Sequence, residues 1–364
     1  MRSVLLAILL AGCPGAPATD ATDATDTTDA TDDTDTCAAW EEGEPGAAPG
    51  CSPPYLTAGG RTEVTEPWLL GVTLTRDHTY AVRDGLTLQG DVFLPAEAAG
   101  TPGAIVVVHG GGWNDCGRRK DSPQVVNYAG VMAALTGAPV FSIEYRLVDE
   151  GGRFPANLGD VKCAIASFAA EADAWGFDKD RIAVIGESAG AHLALMVAGT
   201  EGREDLDPEC GTAPDVALTI AYSPPTDLNA LGAPYRPVVD AAAGGACDEP
   251  VTACVGTDRP CDRCADFTPV AHACTMDAPV VLVQAPDPWD KLIPESQARA
   301  MATALEAAGA DVTLIIPDPA GFPDEDCPED PGAGQLFPHG FVPCLTSATG
   351  DAVTAALAPV VGRR

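Results

Sequence analysis

Apolar residues dominate short runs at regular stations: 104–108, 140–143, 182–185, 216–220, 280–283 and 312–316. Runs of this length, rich in β-branched residues, predict parallel strands covered on both faces. Residues 72–75 and 86–94 instead alternate apolar with polar positions, which predicts antiparallel edge strands with one wet face. Between the runs, residues 122–136, 157–175, 189–198 and 294–308 carry helix formers at helical apolar spacing. This alternation predicts the α/β class: an eight-stranded, mostly parallel sheet, doubly wound, with helices on both faces.

The rhythm breaks once. More than fifty residues separate the strand ending near Tyr222 from the one starting after Pro279, and they hold Cys247, Cys254, Cys261, Cys264 and Cys274. A connection this long has a function or its own staples. It predicts a cysteine-rich insert or cap over residues 228–277, overhanging the crevice at the carboxyl ends of the strands. Cys261 and Cys264 have the spacing of one half of a zinc site. Thirteen cysteines in 364 residues favour disulfides in an exported chain instead, so no metal is expected.

The amino terminus agrees with export. Met1-Arg2-Ser3 is a short basic start, and residues 4–11 are an apolar run too short to span a bilayer. Leu10-Ala11-Gly12-Cys13 resembles the lipobox of bacterial lipoproteins, which implies a signal over residues 1–12 and a lipid on Cys13. That leaves twelve cysteines, an even number. Residues 19–36 are a Thr/Asp repeat that cannot build a core, so residues 13–36 are expected to be a solvated tether. Residues 37–71 form a Pro/Gly-rich extension, and residues 72–364 the folded domain. Pro14 after the cysteine fits an outer-membrane or surface address in a Gram-negative cell, reached through the lipid anchor.

A formal net charge of −33 changes the picture of partners. Nucleic acid is excluded, because phosphate binding needs clustered Lys and Arg. Neutral substrates are favoured over anionic ones. Nothing in the sequence sets an oligomeric state.

The chemistry sits at two strand ends. Gly186-Glu187-Ser188-Ala189-Gly190 joins the run at 182–185 to the helix starting at 189. The plain reading of Ser188 is a helix cap. The other is a nucleophile held at the apex of a sharp turn whose glycines let neighbouring elements pass close. His109-Gly110-Gly111-Gly112-Trp113 follows the run at 104–108, where backbone N–H groups can face a substrate oxygen. A serine nucleophile needs a base and a carboxylate, in the chain order Ser, acid, His for this turn. The acid belongs after the run at 280–283. Of the five histidines, His339 alone lies beyond that point. Asp290 in Gln284-Ala285-Pro286-Asp287-Pro288-Trp289-Asp290 is the favoured acid, with Asp287 as alternate. His109 and His192 read as structural residues.

HGGGW, SIEYRL, FPANLGDVKCAI, DKDRIAVIGESAGAHLAL, DKLIP and PHGF resemble the esterase/lipase branch of the α/β-hydrolase superfamily. That branch holds hormone-sensitive-lipase-like carboxylesterases, and these motifs are closer still to feruloyl/acetylxylan esterases and arylformamidases. The likeness covers residues 84–362 apart from the insert. It implies the α/β-hydrolase fold and carboxylic-ester hydrolysis through an acyl-serine intermediate, with no cofactor. It assigns Ser188 as nucleophile, His339 as base, Asp290 as acid, and Gly111, Gly112 and Ala189 as oxyanion donors. The expected substrates are small-molecule or polysaccharide esters, with short-chain, acetyl or feruloyl acyl groups. Amide hydrolysis on the same fold is the alternative, and a non-catalytic surface module a further one. After the run at 280–283, the family's usual HG-x-x-D appears here as QAPDPWD, a departure at the acid. Among the cysteines, Cys327 with Cys344 and Cys116 with Cys163 are the expected pairs, leaving Cys210 to the insert.

Overall fold

The computed structural model describes residues 71–96, 100–114, 119–203, 206, 210–211, 213–231, 235–244, 263–290, 292–318 and 348–362. Residues 1–70, with Cys13, the tether and most of the amino-terminal extension, lie outside them. So do residues 245–262 of the insert, Cys116, Cys327, Cys344 and His339.

Eight strands form one sheet in the order β1-β2-β4-β3-β5-β6-β7-β8. They are β1 (Val72–Arg83), β2 (Leu86–Pro95), β3 (Ala104–Val108), β4 (Val140–Ile143), β5 (Ile182–Glu187), β6 (Leu218–Tyr222), β7 (Val280–Val283) and β8 (Val312–Ile315). β1 and β2 pair antiparallel, as do β2 and β4, and every later pairing is parallel. This is the expected α/β-hydrolase architecture. The hairpin differs in two details. β1 runs on to Arg83, because polar residues such as Thr79 still satisfy the ladder opposite β2. β2 is not an edge strand, since β4 covers its second side.

The apolar runs are explained by packing on both faces. Val106, Val108, Val184 and Leu282 pack with Leu158, Leu193 and Met301, from α2 (Ala156–Ala170), α4 (Ala189–Gly199) and α7 (Glu295–Ala308). Their chain neighbours Ile105, Val107, Ile185 and Val283 point the other way. They meet Val126 and Met132 of α1 (Pro123–Thr136) and Val353 and Leu357 of α8 (Ala348–Val361). Every residue of α4 is buried, which explains a helix that is apolar all round rather than on one stripe.

The helix expected over 157–175 breaks at Glu171 into α2 and the short α3 (Ala172–Trp175). Within the insert, α5 (Arg236–Ala243), α6 (Arg263–Asp266) and a 3-10 turn at Pro269–Thr275 are ordered elements. The expected Cys116–Cys163 pair is wrong, and so is the assignment of Cys210 to the insert. Cys163 on α2 bonds Cys210, in the connection from α4 to β6, with Cα atoms 5.5 Å apart. The bridge ties that connection to α2. The Arg83 guanidinium lies 3.3 and 3.1 Å from the two sulfurs.

Candidate active site

Ser188 sits between β5 and α4 at φ 51°, ψ −119°, a region that side-chain-bearing residues rarely occupy. Its side chain makes no capping hydrogen bond to the helix, so the plain cap reading fails. The turn is possible because both flanking glycines are used for contact. A Cβ on Gly186 would strike the Gly190 carbonyl, and one on Gly190 would strike the Val108 carbonyl of β3. The backbone is held from both sides: Ser188 N–H donates to Tyr222 O at 2.8 Å, and Ser188 O accepts from His192 N–H at 3.0 Å.

The glycine turn lies directly against this apex. Val108 pairs with Gly186, which sets the residues after β3 beside those after β5. A Cβ on Gly110 would come 3.1 Å from Ser188 Cβ. Gly111 and Gly112 have φ of 102° and 64°, and Trp113 follows at 58°. Gly111 and Gly112, with Ala189 at the start of α4, are the expected oxyanion donors. α5 lies against Gly112: a Cβ there would sit 3.3 Å from Val238 Cγ1.

The charged groups here hold the turn. Glu187 is buried, and its Oε1 accepts from Gly110 N–H at 3.4 Å. His109 Nδ1–H donates to Gly110 O at 2.8 Å, and its Nε2 lies 3.4 Å from Glu144 Oε2. Burial alone would raise the Glu144 pKa. The His109 ring, Arg119 and the Lys120 N–H outweigh it and hold the carboxyl below its ordinary value. The Tyr145 hydroxyl donates to His109 O at 3.1 Å. Burial, then the Glu144 and Glu187 charges, push its pKa up, so it stays a donor. Sequence reasoning passed over Glu187 and Tyr145, although both stand inside quoted motifs.

Trp113 and His192 pack under the turn, with ring centres 5.0 Å apart. His192 Nε2–H donates to Phe267 O at 2.7 Å. Burial drives its pKa down to about 3, so the ring is neutral and structural. His272 donates to Asp266 O, and His78 lies 3.3 Å from Glu171. These four histidines thus have other partners, and His339 lies outside the described residues.

The two candidate acids have different environments. Asp290 is 5% exposed. Its Oδ1 accepts from Leu292 and Ile293 N–H, both at 2.9 Å, and its Oδ2 from Gln284 Nε2 at 3.2 Å. Gln284, at the end of β7, also donates to Ile293 O at 2.9 Å. No sequence signal singled it out. Asp287 is exposed and exchanges hydrogen bonds with Glu295 at the start of α7. It serves as a helix cap. Glu187, Tyr222 and Val283 stand level across β5, β6 and β7. The Asp290 loop therefore starts about two strand spacings, roughly 10 Å, from Ser188. Among the described residues no three His, Cys, Asp or Glu side chains converge as a metal site.

The sequence profile of one family, BD-FAE, matches residues 90–305. The chain belongs to the BD-FAE family. That match takes in the glycine turn, the elbow and Asp290. Curated relatives of this BD-FAE protein resemble shorter stretches. The non-reducing polyketide synthase ausA of Aspergillus calidoustus is 30% identical over 155 residues, 40% of this chain and 6% of the synthase. Carboxylesterase NlhH of Mycobacterium tuberculosis is 33% identical over 135 residues, 37% of this chain and 40% of the enzyme. Kynurenine formamidase avaC of Aspergillus versicolor is 29% identical over 120 residues, 30% of this chain and 38% of the enzyme. Each match thus spans well under half of the relative's length. Among solved structures, esterase B from Lactobacillus rhamnosis superposes at a TM-score of 0.53 and 20% identity, covering 68% of this chain and 74% of the other. A bifunctional GH43-CE protein of Bacteroides eggerthii gives 0.60 at 21% identity, covering 79% and 38%. These superpositions establish the shared fold.

Proposed function

We propose that this BD-FAE protein is a serine carboxylic-ester hydrolase. The observation that carries the reading is Ser188 itself, held in a strained turn, not capping its helix, and pressed against the glycine turn. Strain at a non-glycine apex persists where it serves function. In this reading Ser188 Oγ attacks the acyl carbon and its proton passes to His339. Ala189, Gly111 and Gly112 N–H groups stabilise the oxyanion. The C–O bond breaks, and His339 returns the proton to the departing alcohol. Water then repeats the sequence on the acyl-serine and frees the acid. Asp290, oriented by three donors, supports the imidazolium.

The substrates are short-chain or carbohydrate-linked esters, acetyl or feruloyl, and the net charge of −33 favours neutral ones. The test is hydrolysis of p-nitrophenyl esters from acetate to decanoate by the oxidised protein and by Ser188→Ala. We expect a peak at acetate or butyrate and a loss of about a million-fold in kcat for the variant. Equal rates for both proteins overturn the reading. The formamidase relative favours a second one, amide hydrolysis. A higher kcat/KM on N-formylkynurenine than on p-nitrophenyl acetate would establish it. Membrane attachment through a lipid on Cys13 is part of the proposal. Labelled palmitate should enter the wild-type chain and not Cys13→Ala.

A further inference from the structure

The glycine turn places its donors on residues with no side chain to fix their peptide planes. Gly111 and Gly112 stand at φ of 102° and 64°. Their N–H groups donate to no acceptor among the described residues. A donor stabilises a developing oxyanion only if it is aimed before the reaction. The aim of the Gly111 N–H must therefore be set by groups around the turn.

We infer that Tyr145 is a positioning residue for the oxyanion: it holds the Gly110 carbonyl, directly and through His109, and so aims the Gly111 N–H. The inference rests on the ester-hydrolase reading above and deepens it. Three observations carry it. First, the Gly110 carbonyl and the Gly111 N–H belong to one trans peptide unit. In such a unit the two groups point in opposite directions, so holding the oxygen fixes the direction of the hydrogen. His109 Nδ1–H donates to Gly110 O at 2.8 Å, and the Tyr145 hydroxyl lies 3.4 Å from the same oxygen. Gly112 differs: the carbonyl of its peptide unit, Gly111 O, accepts from Asn114 N–H at 3.1 Å, a backbone contact within the turn.

Second, Tyr145 also fixes the residue that makes the shorter bond. Val108 pairs with Ile143, which sets the residues after β3 level with those after β4. The Tyr145 ring stacks on the His109 ring, with centres 4.5 Å apart and planes within 16°. Its hydroxyl donates to His109 O at 3.1 Å. The Gly110 N–H, at the other end of that peptide unit, donates to Glu187 Oε1 at 3.4 Å. Two successive peptide planes of the turn are thereby pinned from β4 and from the elbow.

Third, the contact is dry and keeps its proton. Tyr145 and His109 are both buried, so bulk water does not compete for the two carbonyls. Burial pushes the Tyr145 pKa up, and the hydroxyl remains a donor. Hydrogen bonds are stronger in such surroundings, and a bond to a carbonyl polarises its peptide unit. Holding Gly110 O therefore both aims the Gly111 N–H and strengthens it as a donor.

The experiment measures kcat and KM on p-nitrophenyl acetate, and inhibition by trifluoroacetone, whose adduct with a serine carries an oxyanion. Tyr145→Phe keeps the stack and removes the hydroxyl. It should lower kcat about 10-fold with KM unchanged, and weaken the ketone by the same factor. An unchanged kcat, or a fall in kcat with ketone binding unmoved, overturns the inference. Thr136→Val removes another buried hydroxyl, bonded to Met132 O within α1, and should leave both readouts unchanged. His109→Asn keeps an N–H donor in place of Nδ1 and should hold kcat within about threefold, whereas His109→Ala should lose about 10-fold. Equal losses in these two variants overturn the inference even if Tyr145→Phe does not fold. The amide resonance of Gly111 in isotope-labelled protein, read without substrate, supplies an independent readout. It should move in Tyr145→Phe, and an unmoved resonance overturns the inference. If the wild type cleaves no ester, the hydrolase reading falls while the resonance still decides whether Tyr145 aims the Gly111 N–H.

Discussion

The nucleophile elbow and the β7–α7 loop both follow the carboxyl ends of strands in one sheet, yet they are built by opposite means. The elbow and its glycine turn are made by steric fit of backbone. Gly186, Gly190 and Gly110 each stand where a Cβ would meet neighbouring atoms at or inside contact distance, and Ser188 carries the strain. The β7–α7 loop is made by directed hydrogen bonds from side chains. Gln284, Asp287, Asp290 and Glu295 hold it, and Trp289 remains at its surface. A steric device tolerates no added atom but needs no partner chemistry. A hydrogen-bonded device tolerates changes in size but fails when a donor or acceptor is lost.

That contrast can be broken by five substitutions. Asp290→Asn should lower kcat about 10,000-fold, measured on p-nitrophenyl acetate, because the base loses its orienting charge. The same change at Asp287 should leave kcat within about threefold, and the reverse outcome would exchange their roles. Gly112→Ala should lower kcat about 100-fold. Its added methyl sits at φ 64°, where side-chain-bearing residues are strained, and 3.3 Å from Val238 Cγ1, which strains the oxyanion turn. Gln284→Leu keeps the size but removes the donor to Asp290, and about a 10-fold loss in kcat is expected, by analogy with other groups that orient a reactive residue. A loss equal to that of Asp290→Asn would show that Gln284 holds the whole loop. Asp287→Ala should cost about 1 kcal/mol in urea unfolding, as for a lost helix cap, with kcat unchanged.

The elbow and the loop also differ in how far the sequence disclosed them. Ser188 and Gly110–Gly112 were legible because steric fit demands glycine, and glycine at fixed offsets from an apolar run is a local signal. Asp290 and Asp287 were both visible as acids at the end of β7. Choosing between environments required Leu292 and Ile293 N–H to be seen pointing at one of them. Gln284 was invisible, since its partners are loop groups that meet it only after folding. α8 was overlooked although Val353, Leu357, Val360 and Val361 fall at helical spacing. The Thr, Ala and Pro residues between them diluted the pattern.

The sequence by itself determined the eight strands and their mostly parallel class, because buried parallel strands need continuous apolar runs. It also determined the elbow and the glycine turn, whose requirements are local. The tertiary structure decided the rest: β2 as an interior strand, Cys163 with Cys210, α5 against Gly112, and a buried Asp290 beside a capping Asp287. Each depends on which distant segments come within a few ångströms, and no periodicity along the chain encodes that distance.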